Sequence, residues 1–115
     1  MKLFVTGGTG FIGSHFLAAA LAAGHEVLAL RRPGAQARIP LAAQPRWLDG
    51  HLTDDWSVPL RECDALVHFA AAGVNPAETG WGPCFETNVT ASLALWGCAI
   101  AAQVRQLVIC GSCFE

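Results

Sequence analysis

Apolar residues in this chain fall in short runs separated by polar or glycine-rich breaks. Residues 2–6 (KLFVT), 25–30 (HEVLAL), 45–50 (PRWLDG), 64–70 (DALVHFA) and 106–110 (QLVIC) have the length and content of strands. The run at 64–70 is continuously apolar, as in a strand covered on both faces. The run at 106–110 also reads as a buried strand. Between these runs the pattern changes. Residues 11–24 (FIGSHFLAAALAAG) predict a helix closed by Gly24, with alanines at 18, 19, 20, 22 and 23 that favour helix and allow close approach to a sheet. A long helix is predicted from about Phe85 to Gln103. The polar segment 31–44, broken by Pro33 and Pro40, predicts a loop. A second loop carries Gly73, Pro76, Gly80 and Pro83.

Strands alternating with helical stretches predict an α/β fold, with a doubly wound parallel sheet of Rossmann type. Right-handed crossovers place helices on both faces, and the expected order of the five strands is 3-2-1-4-5. The whole chain, 1–115, reads as one domain.

Composition narrows the function classes. Hydrophobic residues make up 53% and charged residues 14%, which excludes a disordered chain. Basic residues are scattered, with only Arg31 and Arg32 adjacent, so no nucleic-acid footprint is expected. No apolar run approaches the roughly 20 residues of a membrane span. The run before Gly7 is shorter than a signal peptide's apolar core. Five cysteines, an odd number, fit free thiols in a reducing, cytoplasmic setting. Trp47, Trp56, Trp81 and Trp96 read as core or lid aromatics, since basic residues are not interleaved with them.

The most informative stretch is VTGGTGFIG, residues 5–13. It lies between the first strand and the first helix, where such a pattern is a strong dinucleotide signal. Gly7 permits a sharp turn. Gly10 lets a pyrophosphate approach the backbone, and Gly13 lets helix and strand pack closely. The N–H groups near Phe11 and Ile12 lie at the helix N-terminus, where the dipole favours an anion. At the end of the second strand an NAD site usually carries an acid, but this chain has Arg31-Arg32. A guanidinium suits a 2′-phosphate, so NADP is expected in preference to NAD. The other reading of these arginines is solvated loop charge.

Cys110-Gly111-Ser112-Cys113 is formally C-x-x-C. Redox dithiols usually sit at a helix N-terminus, whereas Cys110 falls in a predicted strand. Zinc needs four ligands, and neither a second C-x-x-C nor a closely spaced histidine pair exists. No metal is expected, and His51 and His68 read as packing or surface residues.

Taken together, TGGTGFIGSH (6–15), CDALVHFAA (63–71), ETNVTASLALWGCA (86–99) and QLVICGSCFE (106–115) resemble the extended short-chain dehydrogenase/reductases, the NAD-dependent epimerase/dehydratase group. The likeness spans essentially the whole chain in order and spacing. It implies that Ser112 is the active-site hydroxyl bonding the substrate oxygen, and that Phe69, Ala70 and Ala71 contact the cofactor through backbone. It implies that Asn88 either holds the region near the nicotinamide ribose or ties helix to strand. Where the family often has Gly-Asp-Leu, binding adenine through the aspartate, this chain has Gly50-His51-Leu52, which the resemblance implies lies at the cofactor, His51 being able to hydrogen-bond adenine but not to copy a carboxylate. The family's Tyr-x-x-x-Lys acid is missing: there is no tyrosine, and the only lysine is Lys2. The resemblance therefore implies the N-terminal, cofactor-binding part of a longer oxidoreductase, epimerase or dehydratase. That enzyme would move a hydride on a sugar-like substrate, with a nucleotide-linked sugar as the candidate, and the fragment itself would be inactive. A non-catalytic dinucleotide sensor or interaction module is the alternative. The apolar fifth strand would also present an open edge suited to self-association.

Overall fold

The structure is a computed structural model, and it describes residues 1–73 and 80–112. Pro76 of the second predicted loop and Cys113 of the C-x-x-C lie outside the described residues. Five parallel strands, β1 (Lys2–Thr6), β2 (Glu26–Arg31), β3 (Arg46–Asp49), β4 (Ala65–His68) and β5 (Gln106–Ile109), form one sheet. Their order is β3-β2-β1-β4-β5, the doubly wound arrangement expected from the sequence.

Alternation along each strand sorts the core into two layers. Leu3 and Val5 of β1, Val27 and Ala29 of β2, and Ala65 and Val67 of β4 point to one face. There they meet Leu17 and Ala20 of α1 (Phe11–Ala22). Phe4, Leu28, Leu30 and Leu66 point to the other. They meet Leu60 of α2 (Ser57–Arg61) and Leu95 and Ala99 of α4 (Ser92–Ala101). All four residues of β4 are buried, as the apolar run implies.

α1 ends two residues before Gly24, in a left-handed turn at that glycine (φ +84°). The His25 N–H bonds the Ala20 carbonyl at 3.1 Å and the Gly24 N–H bonds Leu21 at 3.0 Å, which satisfies the last carbonyls. The long helical stretch begins earlier than expected, with α3 (Trp81–Phe85). Pro83 is tolerated there because a first-turn N–H has no intrahelical partner to lose. α3 passes into a π-helical turn, Glu86–Ala91, and then into α4. α2 was not expected, because five residues are too few to show a helical period.

The amino ends of the strands carry a group of paired charges. At the amino ends of β1 and β4, Lys2 Nζ lies 2.8 Å from Glu62 and 3.3 Å from Glu26. The Lys2 N–H donates to Asp64 at 2.8 Å, and Asp64 pairs with Arg105 at 2.8 Å. Hydrogen bonding to Glu62 raises the Lys2 pKa, and the backbone bond from Lys2 is the main cause lowering that of Asp64. The carboxyl ends carry the glycine turn and the cleft described below.

β5 departs from the buried strand that its sequence suggests. Leu107, Val108 and Ile109 are 36%, 49% and 45% exposed, because β5 is the outer strand and only β4 pairs with it among the described residues. The fold rests instead on the two inner layers. Phe4 is fully buried, with its ring 5.9 Å from that of Trp56. Phe4→Ala is expected to cost about 3–5 kcal/mol in urea unfolding at neutral pH.

Candidate functional site

The strand order reverses between β1 and β4, and ligands in open parallel sheets bind at the carboxyl ends beside that reversal. A cleft of about 590 Å³ opens there. Its lining brings together Gly7, Gly10, Phe11, Ile12 and Gly13 from the glycine turn and Arg31 and Arg32 from the end of β2. Leu52 follows β3 on its rim, and Phe69, Ala70 and Ala71 come from the exit of β4.

The glycine turn is built by exclusion of side chains. Gly7 has φ +69°, and a Cβ on it would lie 2.5 Å from the Ala70 nitrogen and 2.6 Å from the Phe69 carbonyl carbon. A Cβ on Gly13 would overlap the Gly7 carbonyl oxygen and come within 2.9 Å of Gly8 Cα. The first turn of α1 therefore rests on the loop itself, where the sequence had suggested contact with the strand. Gly10 differs, since among the described residues its Cβ would meet only the Gly7 oxygen, at 3.3 Å.

Gly10 is the N-cap of α1, with no side-chain cap, and the first turn holds no acid. The first helical bond runs from the Ser14 N–H to the Gly10 carbonyl at 2.9 Å. The N–H groups of Phe11, Ile12 and Gly13 thus precede the helical ladder, at the cleft. Such a terminus attracts an anion through its free donors and through the helix dipole.

The register of β2 on β3 sets Arg31 opposite Asp49. The Arg31 Nε–Asp49 Oδ1 distance is 2.6 Å, and the guanidinium carbon lies 5.0 Å from the Trp47 ring centre. Arg31 is thereby held and its charge offset, whereas Arg32 is exposed on the cleft. Asp49 was missed in the sequence because its importance depends on the register.

Other expected residues stand outside the cleft lining. His51 is exposed and belongs to a turn: its N–H donates to Asp54 Oδ2 at 2.8 Å and its carbonyl accepts from Trp56 Nε1 at 2.8 Å. Asn88 brackets Ala72, accepting from its N–H at 2.8 Å and donating to its carbonyl at 2.9 Å. It ties the π-helical turn to the chain leaving β4. Ser112 is exposed, three residues past β5, and does not line the cleft. Cys110 does, just beyond β5, its N–H bonding the His68 carbonyl at 3.2 Å. Thr6, Thr9 and Thr87 also line the cleft unannounced, although Thr6 and Thr9 both lie inside the TGGTG stretch.

Of the tryptophans, Trp56 is core, Trp47 and Trp96 are partly buried, and Trp81 is 92% exposed, so it is not a core residue. Cys63 is buried, its thiol pushed up to about 11 by desolvation, and it remains protonated at neutral pH. His68, at the end of β4, is 4% exposed and bonds Thr6 and Ser92. Burial lowers its pKa, and both partners are uncharged.

A glycine turn between β1 and an uncapped helix, at the reversal point of a five-stranded parallel sheet, defines a Rossmann-type domain. Residues 3–115 match the NAD dependent epimerase/dehydratase family, and the chain belongs to that family. It is 32% identical to a UDP-glucose 4-epimerase of Lactobacillus helveticus over 118 residues, covering 97% of this chain and 36% of the relative. A UDP-glucose 4-epimerase of Corynebacterium glutamicum is also 32% identical, over 94% of this chain and 34% of its own. The UDP-glucose-4-epimerase structure from Stenotrophomonas maltophila, with bound NAD and formylated UDP-arabinopyranose, superposes with a TM-score of 0.85 at 29% identity. That match covers 99% of this chain and 38% of the other. The chain thus spans little more than a third of the length of these relatives. No described helix is long and apolar enough to cross a membrane.

Two outcomes are expected. Gly13→Val should unfold or strongly destabilise the chain, whereas Gly10→Val should leave its thermal midpoint within a few degrees of the parent, as differential scanning fluorimetry would show. His68 should make the protein acid-sensitive. The folded state keeps the ring neutral below the ordinary value of 6.5, while the unfolded chain takes up a proton. Stability from this source is present above about pH 6.5 and falls at lower pH, by at most ~1.4 kcal/mol per unit. Urea unfolding at pH 7.5 and 5.5 should show a smaller pH difference in His68→Gln than in the parent.

Proposed function

We propose that the cleft binds the dinucleotide NAD(P), and that the chain is the cofactor-binding part of an enzyme acting on a nucleotide-linked sugar. One observation carries this reading: the uncapped, acid-free N-terminus of α1 opens onto the cleft beside Gly10, whose missing Cβ leaves room for a pyrophosphate. The relatives support it, since the Stenotrophomonas epimerase holds NAD, and the structure named MoeE5 holds UDP-glucose and NAD at 30% identity and a TM-score of 0.80.

In this reading the N–H groups at Phe11, Ile12 and Gly13 hold the pyrophosphate. Leu30, Arg31 and Arg32 flank the adenosine ribose, with Leu52 and His51 toward adenine. Phe69, Ala70 and Ala71 form the wall on the nicotinamide side, and Asn88 keeps that wall in place. When bound, nicotinamide supplies a hydride acceptor or donor. Ser112 supplies a hydroxyl to hold the substrate oxygen. The chain has no tyrosine, and its single lysine, Lys2, is tied to Glu62 at the opposite end of β1. With no phenol–ammonium pair to move the substrate proton, the 115-residue chain alone should show no turnover.

NADP is the proposed preference, with a specific division of labour. Arg31 is offset by Asp49, so selection of a 2′-phosphate falls mainly to Arg32. Fluorescence titration should give tighter binding of NADP than of NAD, and Arg32→Ala should remove most of the difference. Tighter binding of NAD by the parent chain would contradict this division. The exposed β5 edge is also proposed to pair with a second copy of the chain. Sedimentation in reductant should show association rising with concentration, and Val108→Lys should suppress it. A parent chain that stays monomeric throughout would refute the pairing.

A further inference from the structure

We propose that His68, which does not line the cleft, is a positioning residue whose ring, protonated at Nε2, joins the β4-side wall to the π-helical turn. The proposal rests on the dinucleotide reading of the cleft. Thr6 and His68 are register partners at the ends of β1 and β4. By alternation both follow Phe4 and Leu66 onto the face that α4 covers. Thr6 Oγ1 lies 2.7 Å from His68 Nδ1, and His68 Nε2 lies 2.9 Å from Ser92 Oγ.

The directions of these bonds follow from the ends of the chain. Ser92 Oγ is 3.1 Å from the Thr87 carbonyl, which can only accept. The single hydroxyl hydrogen of Ser92 is therefore donated to Thr87, and Ser92 must accept from His68. That places the proton on Nε2 and leaves the Nδ1 lone pair to accept from the Thr6 hydroxyl. Thr6 Oγ1 in turn accepts from the Ala70 N–H at 3.4 Å. Each hydroxyl both donates and accepts, and both ring nitrogens are used.

The series begins at Ala70 and ends at Thr87, and both residues line the cleft. Ser92 reaches back five residues to Thr87, spanning the widened turn between them. π-Helical turns of this kind recur at functional sites. Asn88, in the same turn, grips Ala72. The segment leaving β4 is thus held at Ala70 through His68 and at Ala72 through Asn88. Behind the ring, Trp96 stands edge-on at 5.9 Å and 89°. An apolar residue at position 68 would fill the space but leave Thr6 and Ser92 without their shared partner.

The test uses the full 115-residue chain. Nitrogen NMR of the imidazole at pH 7.5 should find His68 protonated at Nε2 only. NAD titration should show affinity about tenfold lower in His68→Phe, the scale of losing a buried hydrogen-bond pair, and several-fold lower in Ser92→Ala. A ring protonated at Nδ1, or a folded His68→Phe chain with parental NAD affinity, would overturn the proposal. If His68→Phe does not fold, Ser92→Ala decides, and parental affinity there is the overturning result. If the parent chain binds neither NAD nor NADP, the cleft reading fails separately. Ala70 amide exchange then decides, since the proposal requires it to accelerate in Ser92→Ala and is refuted if it does not.

Discussion

The cleft exists because three pieces of backbone touch with no side chain between them. Gly13 rests on the Gly7 carbonyl, and Gly7 rests on the peptide joining Phe69 to Ala70. The left-handed Gly7 turns the chain back over the end of β1, and the first turn of α1 seats on that turn. The same contacts set the distance from the α1 N-terminus to the wall leaving β4. A methyl group at either position would push apart elements that the rest of the sheet holds in register, so the site and the fold share one constraint.

The sheet is polarised around that constraint. Its described amino ends are stapled by Lys2, Asp64 and Arg105, where charges pair at the surface and contribute little each. Its carboxyl ends hold uncharged donors and one buried imidazole, with the Arg31–Asp49 pair and the exposed Arg32 at the rim. An anionic ligand entering at the α1 terminus therefore meets no acid in the first turn of that helix. His68, Thr6 and Ser92 satisfy one another beneath the wall, which links it to the π-helical turn without placing charge in it.

Much of this was legible in the sequence, because it depends on local pattern. The strand order follows from alternating elements, and the glycine turn from its place between a strand and a helix. What was not legible depends on register or on tertiary cover. Arg31 read as a free cation until pairing set Asp49 beside it. His68 read as a packing residue because nothing local shows that Thr6 and Ser92 flank it. The π-helical turn leaves no mark in the apolar pattern, and Pro83 disguised the helix start. β5 has the composition of a buried strand, yet burial depends on neighbours that composition does not show. The turn at His51 was also hidden, because its backbone bonds to Asp54 and Trp56 depend on how the chain folds after β3.

The central claim is that the α1 terminus and the glycine turn form a dinucleotide site. Titration of the isotope-labelled chain with NADP, followed by amide NMR, tests it most directly. The account predicts that the Phe11, Ile12 and Gly13 amides shift together with those of Ala70 and Ala71 and saturate at one equivalent. Shifts confined to other surfaces, or no saturable shift at these amides, would contradict it.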